Sequence, residues 1–344
     1  MKRLVLFAAL IALVSRTEKL SGQVTRSETK AGTTAAQFLK IGAGARPLGM
    51  GAAFVAFDGD INSLYWNPAG VSRIQSHGAA TFNHAQWLAD INYDFAAVAF
   101  NAGELGTLGL NVVSLRVPED LVRTLVNEEG DGRKFDASSL ALALSYARNL
   151  TDRFSFGLTV KYINEKIWNE SANSVAIDVG TLFITPFNDL KIGASISNFG
   201  GKMSLTGSDL FFNRDPDPST QGGAKNIQSQ YRVGEYDLPL TFRVGIAMDV
   251  LNANGVRTTV ALDATHPNDS AEYIGTGVEV CYDRMFFARA GYKSLFLPDS
   301  EQRYTWGLGL RYELASSSAV LIDYSFADYG RLQNVQFVSL SVEF

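Results

Sequence analysis

A single cysteine, Cys281, stands in a chain of 344 residues, so no internal disulfide can form. Histidine is nearly as scarce. His77, His84 and His266 are the three, and none belongs to an H-E-x-x-H or Cys/His arrangement that would hold a catalytic metal. No G-x-S-x-G nucleophile elbow occurs. A dinucleotide-binding G-x-G-x-x-G would begin at Gly42, but its last glycine position is Pro47 and no strand–helix context follows. These absences argue against an enzyme and against any cofactor or metal. Charged residues make up only 19% of the chain, below the roughly 25% usual in soluble domains. The net charge is −5 with no basic stripe, which gives nucleic acid nothing to bind. Beyond the N-terminus no run of 18 apolar residues exists, so ordinary membrane-spanning helices are excluded.

What the chain does contain begins with Lys2 and Arg3 followed by an apolar run, Leu4 to Val14. A positive end before a short apolar stretch reads as a secretory signal peptide, expected over residues 1–22 with cleavage between Val14 and Val24. That stretch is too short to span a bilayer, and it offers no cysteine for a lipid anchor.

From about residue 73 the chain alternates. In Arg303–Leu314, Tyr304, Trp306, Leu308, Leu310, Tyr312 and Leu314 fall on one face, and Arg303, Thr305, Gly307, Gly309, Arg311 and Glu313 on the other. Aromatics lie at both ends of the apolar face, as interfacial girdles do. Fourteen such segments are expected, near 73–84, 91–102, 106–116, 138–149, 153–165, 174–185, 190–199, 240–251, 255–265, 271–282, 285–293, 303–314, 318–327 and 333–344. Their length suits tilted membrane strands rather than soluble ones. Short turns alternate with longer connections at 117–137, 166–173, 200–239 and 294–302. Outer-membrane barrels have short periplasmic turns and longer outer loops, so the 200–239 loop, with Asp215, Pro216, Asp217, Pro218, Gly222 and Gly223, is expected outside. The last strand ends on Phe344, which resembles the aromatic C-terminal signal read by barrel-assembly machinery. The fold expected is an all-β transmembrane antiparallel barrel over 73–344, embedded in outer-membrane lipid.

Residues 41–71 break the alternation and are rich in glycine, at 42, 44, 49 and 51. They also hold Phe54, Phe57, Tyr65 and Trp66, which would lose the benefit of burial if left in water. The runs Gly44-Ala45-Arg46, Leu48-Gly49-Met50-Gly51, Ala53-Phe54-Val55-Ala56 and Tyr65-Trp66-Asn67-Pro68-Ala69-Gly70 closely resemble the start of the PorV/PorQ family, and Ala31–Lys40 looks like that family's mature N-terminus. The Asn-Pro-Ala element is shared with the wider FadL-like group. One departure is Ala52, where many relatives carry another glycine. The resemblance implies a fourteen-stranded barrel with residues 23–72 as an N-terminal segment that folds into the lumen as a plug, in which Arg46, Gly49, Met50, Gly51, Asn67, Pro68 and Ala69 carry the motif. It also implies either an accessory role in type IX secretion, with secretion-system components or secreted cargo as partners, or passage of hydrophobic molecules. A structural barrel without cargo is a third reading.

The inward face carries charge of both signs. Asp178, Asp249, Asp263, Glu279 and Asp323 alternate inward with Arg153, Lys161, Arg243, Arg257, Arg289 and Arg311. Buried charges need partners, so these are expected to pair across the lumen. Arg46 is expected to meet an inward carboxylate, Asp249, Asp263 or Glu279. A mixed-charge lumen is a poor lining for a greasy ligand, which favours the secretion reading.

Overall fold

The computed structural model describes residues 30–217, 219, 225–315 and 318–344. The expected signal peptide, and Pro218, Gly222 and Gly223 of the longest loop, lie outside these residues. The strands in chain order are β1 (Gly78–Gln86), β2 (Asn92–Asn101), β3 (Thr107–Leu121), β4 (Lys134–Asn149), β5 (Phe154–Ile167), β6 (Glu170–Ile184) and β7 (Lys191–Gly200). Three short pieces follow, β8 (Thr206–Gly207), β9 (Phe211–Arg214) and β10 (Ile227–Gln230). The chain then continues through β11 (Thr241–Ala253), β12 (Val256–Pro267), β13 (Tyr273–Tyr282), β14 (Phe286–Leu295), β15 (Tyr304–Ala315), β16 (Ser318–Asp328) and β17 (Asn334–Glu343). Strands β1–β7 and β11–β17 form a closed antiparallel barrel of fourteen strands, because β1 pairs with both β2 and β17. Closure leaves no unpaired edge among them, which is the condition for strands to cross a bilayer.

The apolar face points out. Leu110, Leu144, Val175, Leu308, Ile322 and Leu340 are all half exposed or more. Tyr304, Trp306, Tyr324 and Phe326 cluster on the outside near one rim, with Trp306 5.6 Å from Phe326 and 5.5 Å from Tyr324. At the other rim Phe100 meets Phe344, 6.1 Å between centroids. This is the girdle arrangement read from the alternation, now set at both ends of one apolar band.

Three expectations are corrected. The first strand does not begin at residue 73. Pro68–Arg73 form a 3-10 helix whose first position is proline and whose cap is Asn67, and β1 starts at Gly78. Arg153 does not face the lumen; it sits exposed in the turn before β5, where its backbone is used, the carbonyl accepting from the Ile184 amide at 2.8 Å and the amide donating to Thr151 Oγ1 at 3.3 Å. The long 200–239 connection is not bare loop. It adds β8 to the end of β6 and folds β9 and β10 into a hairpin.

Leu308 is 55% exposed in the apolar band. Leu308→Arg should lower barrel stability by about 2–4 kcal/mol, since a lipid-facing charge at mid-depth costs that much. Urea titration of refolding into vesicles checks it; a change within experimental error would mean that this face does not meet lipid.

Candidate functional site

Residues 34–74 lie against the inner wall and run from the long-loop end of the barrel to the short-turn end. At the long-loop end Thr34 bridges Asp237 in parallel, and Lys40 binds Asp269 at 2.7 Å. At the other end Ser72 donates to Asn149 at 2.7 Å, Arg73 donates to Ser155 at 2.9 Å, and the Ile74 carbonyl accepts from Asn101 at 2.8 Å. Between these anchors Ala43, Ala45, Leu48, Met50, Ala53, Phe54 and Val55 are completely or almost completely buried. The buried stretch thus begins before residue 41, where glycine content alone had set it.

What lets a chain with so little regular structure pack so closely is glycine on the wall. Three cross-strand pairs face inward: Gly157 with Gly180 across β5 and β6, Gly193 with Gly245 across β7 and β11, and Gly277 with Gly291 across β13 and β14. Each pair holds a piece of segment backbone. Asn67, Pro68 and Ala69 press on the first, Val55 and Ala56 on the second, Met50 and Gly51 on the third. A Cβ at any of the six would collide with these atoms. Gly49 in turn faces Gly307 of β15, so Gly307 does not look into a roomy, wet lumen, and a serine there would not be silent.

Polar clamps fix the register. The Gly51 amide donates to Thr305 Oγ1 at 2.9 Å, and the Ala45 amide to Ser339 Oγ at 2.8 Å. Asn67 Nδ2 donates to the Val55 carbonyl at 2.7 Å and to the Thr181 carbonyl at 3.0 Å, while its Oδ1 accepts from the Ala69 amide at 3.1 Å. One side chain therefore joins two parts of the segment to β6, and Pro68 starts the helix that leads to β1. The segment also ties itself together: Trp66 Nε1 donates to the Ala43 carbonyl and Tyr65 Oη to the Leu39 carbonyl, both at 2.8 Å.

Arg46 is the segment's ionic anchor. It grips Glu279 with two bonds, Nε to Oε2 at 2.8 Å and Nη2 to Oε1 at 2.7 Å, and reaches Asp60 with Nη1 at 2.7 Å. Of the three carboxylates expected to meet it, Glu279 does; Asp60, only 14 residues further along the segment, was not anticipated. The network continues outward: Arg289 Nε donates to Glu279 Oε2 at 2.7 Å, and its Nη1 to Asp323 at 2.5 Å. Fork-to-fork geometry of this kind is the strong form of an ion pair, and its members are nearly all buried. Phe54 and Phe57 stack at 4.4 Å under the Arg46 guanidinium.

The other inward charges divide. Asp263 does not meet Arg46; its Oδ2 accepts the Phe54 and Val55 amides at 2.7 and 2.8 Å. Asp249 accepts from Thr259 at 2.6 Å, and Arg311 binds Glu343 at 2.8 Å. Lys161 pairs with Asp178 at 2.7 Å. Arg243 lies over the Trp66 ring, 5.4 Å from its centroid. Asp249, Arg257, Arg311 and Glu343 line a cavity of about 360 Å³ at the short-turn end, beneath Arg46 and Asp60. Phe344 closes the seam there, exchanging backbone bonds of 2.8 and 2.9 Å with Gly78. At the far end Asp269 was missed because nothing in a loop acid distinguishes it. It receives Lys40, Gln37 and Thr34. Burial opposes its ionisation, but those hydrogen bonds and the Lys40 charge outweigh it and hold the carboxyl below its ordinary value. The clamp is therefore complete above the ordinary carboxylate range and is lost only as pH falls through the lowered value.

These features define a class: a closed outer-membrane β-barrel with an N-terminal segment seated on its inner wall. The chain belongs to the family of the type IX secretion system protein PorV, whose family model matches residues 24–206. It is accordingly a protein of the bacterial outer membrane. Among solved structures it is similar to a Pseudomonas aeruginosa FadL homologue, at 12% identity over 88% of this chain and 98% of that one, with a TM-score of 0.55. It is also similar to the P. putida toluene transporter TodX (11% identity, 88% and 96% covered, TM-score 0.53) and the Ralstonia pickettii toluene transporter TbuX (11%, 88% and 97%, 0.52). At these identities the likeness is one of fold. No curated protein sequence matches the chain.

Two substitutions probe the seat. Gly291→Leu should lower stability by at least about 1–3 kcal/mol, because the added atoms meet Met50 and Gly51 backbone with no rotamer to escape into. Denaturant midpoints check it, and a silent substitution would mean that the segment does not occupy this wall. Ala52 is the departure from the family pattern, and it sits at φ 62 beside Gly51 at φ 64. Ala52→Gly should raise stability by about 0.5–1 kcal/mol, the left-handed penalty less the entropy glycine adds to the unfolded chain; a lowered midpoint would refute this.

Proposed function

We propose that this protein is an accessory of type IX secretion at the outer membrane, working as a barrel whose lumen is closed by its N-terminal segment. The family match carries the secretion role. Burial of residues 34–74 against the glycine pairs supports the plug. In this reading the leader at 1–22 is removed on export, the 23–72 segment supplies the plug with Arg46, Gly49, Met50, Gly51, Asn67, Pro68 and Ala69 as its seat, and 73–344 is the membrane body. Outer-membrane lipid contacts the apolar band, Phe344 presents the end read by barrel-assembly machinery, and secretion-system components or secreted cargo are the protein partners. Transport of hydrophobic small molecules is disfavoured by a lumen filled with backbone and lined by ion pairs.

Two measurements test the proposal. A tagged chain, recovered from detergent-solubilised outer membranes, should bring secretion components or their cargo with it; recovery of neither, from cells actively secreting, would overturn the role. In planar bilayers the intact protein should conduct little, and deletion of residues 41–62 should open a channel. Unchanged conductance from a deleted barrel that still folds would overturn the plug.

A further inference from the structure

Toward its start the N-terminal segment climbs out of the lumen. Phe38, Leu39 and Ala36 are buried, Ala35 and Thr34 are half-buried, and Thr33, Gly32, Ala31 and Lys30 are exposed. These last four residues form a turn, the Thr33 amide and hydroxyl both donating to the Lys30 carbonyl, at 3.2 and 2.5 Å. Three separate parts of the wall grip the chain just below that turn. The Ala35 amide donates to the Asp237 carbonyl at 3.0 Å, in the connection between β7 and β11. The Ala36 amide donates to Glu165 at 3.0 Å, near the end of β5. Lys40 binds Asp269 at 2.7 Å, between β12 and β13. All three lie at the long-loop end.

The segment joins the wall at the opposite rim. There the Ile74 carbonyl accepts from Asn101 at 2.8 Å, Arg73 Nη2 donates to the Asp152 carbonyl at 2.9 Å, and β1 begins at Gly78. Forty residue steps separate Thr34 from Ile74. Fully extended they would reach about 130 Å, against a hydrocarbon core of about 30 Å, so the segment spans the membrane's thickness with length left for its turns. That passage changes the parity of the chain. Fourteen antiparallel strands by themselves return a chain to the side from which it entered. The segment adds one more crossing, and an odd total puts the two ends of the folded chain on opposite sides. Phe344 sits at the short-turn seam, bonded to Gly78. Lys30 sits at the long-loop mouth.

We infer that this protein displays the start of its plug on the cell surface, while Phe344 stays on the periplasmic side. The inference rests on the reading of the long loops as outer loops, and the experiment below measures that orientation separately. It has a consequence for how the plug can be handled. The end offered outside is the one that is not built into the wall, since the other end runs directly into β1. A factor that takes hold of the free end therefore acts from the cell surface. A periplasmic factor meets only the end already tied to the first strand. The clamp of Asp237, Glu165 and Asp269 is the first set of contacts that such an outside factor would break.

The test is labelling of intact cells with a membrane-impermeant maleimide. The native Cys281 is buried in the wall and gives little background. Three single variants of the full chain are compared, each at an exposed position: Ala31→Cys at the start of the segment, Glu128→Cys in a long loop and Glu104→Cys in a short turn. Ala31→Cys should label on intact cells to the same extent as Glu128→Cys, and Glu104→Cys only after the outer membrane is opened. Should Ala31→Cys not fold, an impermeant amine reagent on the unaltered protein gives the second readout. Lys30 should then be modified on intact cells together with Lys134 of the long-loop end, and Lys191 of the short-turn end only after opening. Labelling of Glu128→Cys but not of Ala31→Cys or Lys30 on intact cells would overturn the inference and leave the barrel's orientation standing. Labelling of Glu104→Cys alone on intact cells would overturn the orientation, and the inference with it.

Discussion

Backbone can lie flat on a sheet only where the sheet has no side chains, and that steric condition governs this molecule. A barrel of fourteen strands encloses more space than its inward side chains fill. Here the space is taken by a segment with a few short helical turns and no strand in the barrel. Its amides and carbonyls must be satisfied in an interior poor in water. The glycine pairs bring the segment's backbone down onto the wall, and Thr305, Ser339, Thr181 and Asp263 supply acceptors at the points of contact, Thr305 also donating to the Gly49 carbonyl. Neither half works alone. Without the glycines the polar groups would be out of reach, and without the polar groups close approach would bury unpaired amides.

The ionic network rests on the same seat. Arg46 can grip Glu279 only because the short helix Ala45–Gly49 lies against β15 and β16, with Met50 and Gly51 on the Gly277–Gly291 pair. Arg289 then shares Glu279 and passes on to Asp323. Breaking a buried pair from one side leaves the other charge stranded, at about 3–5 kcal/mol. Segment and wall are therefore held in one register, and a shift of one residue along the wall would lose both the glycine windows and the charge match.

Segment geometry also bears on how the barrel is put together. The segment is anchored at both ends of the lumen and is buried between β-strands that close around it through the β1–β17 seam. A preformed closed barrel would have to admit bulky Phe54, Tyr65 and Trp66 through its mouth and along the inward side chains. Closure around a segment already lying on β13–β15 avoids that passage.

Much of this was legible from residue order alone. Alternation, weak in the second and seventh segments, located the fourteen barrel strands to within about five residues at either end, because a two-residue period is imposed by strand geometry and by lipid on one side, and both act locally. Loop lengths gave the two ends, and the motif segment was recognisable as neither strand nor helix. The inward glycines were visible too, but only as gaps in the polar face. That they come in cross-strand pairs depends on register between residues as far apart in sequence as Gly193 and Gly245, which no local pattern states. Likewise the signs of the charges were plain, while their partners were not. Arg46 chose Glu279 and Asp60, Asp263 turned to backbone amides, and Arg153 fell one residue outside the strand and so outside the lumen. The sequence by itself determined that a barrel would form and which face would meet lipid; tertiary structure alone decided which charges meet and where the segment rests, because those depend on distances across a lumen that chain order does not encode.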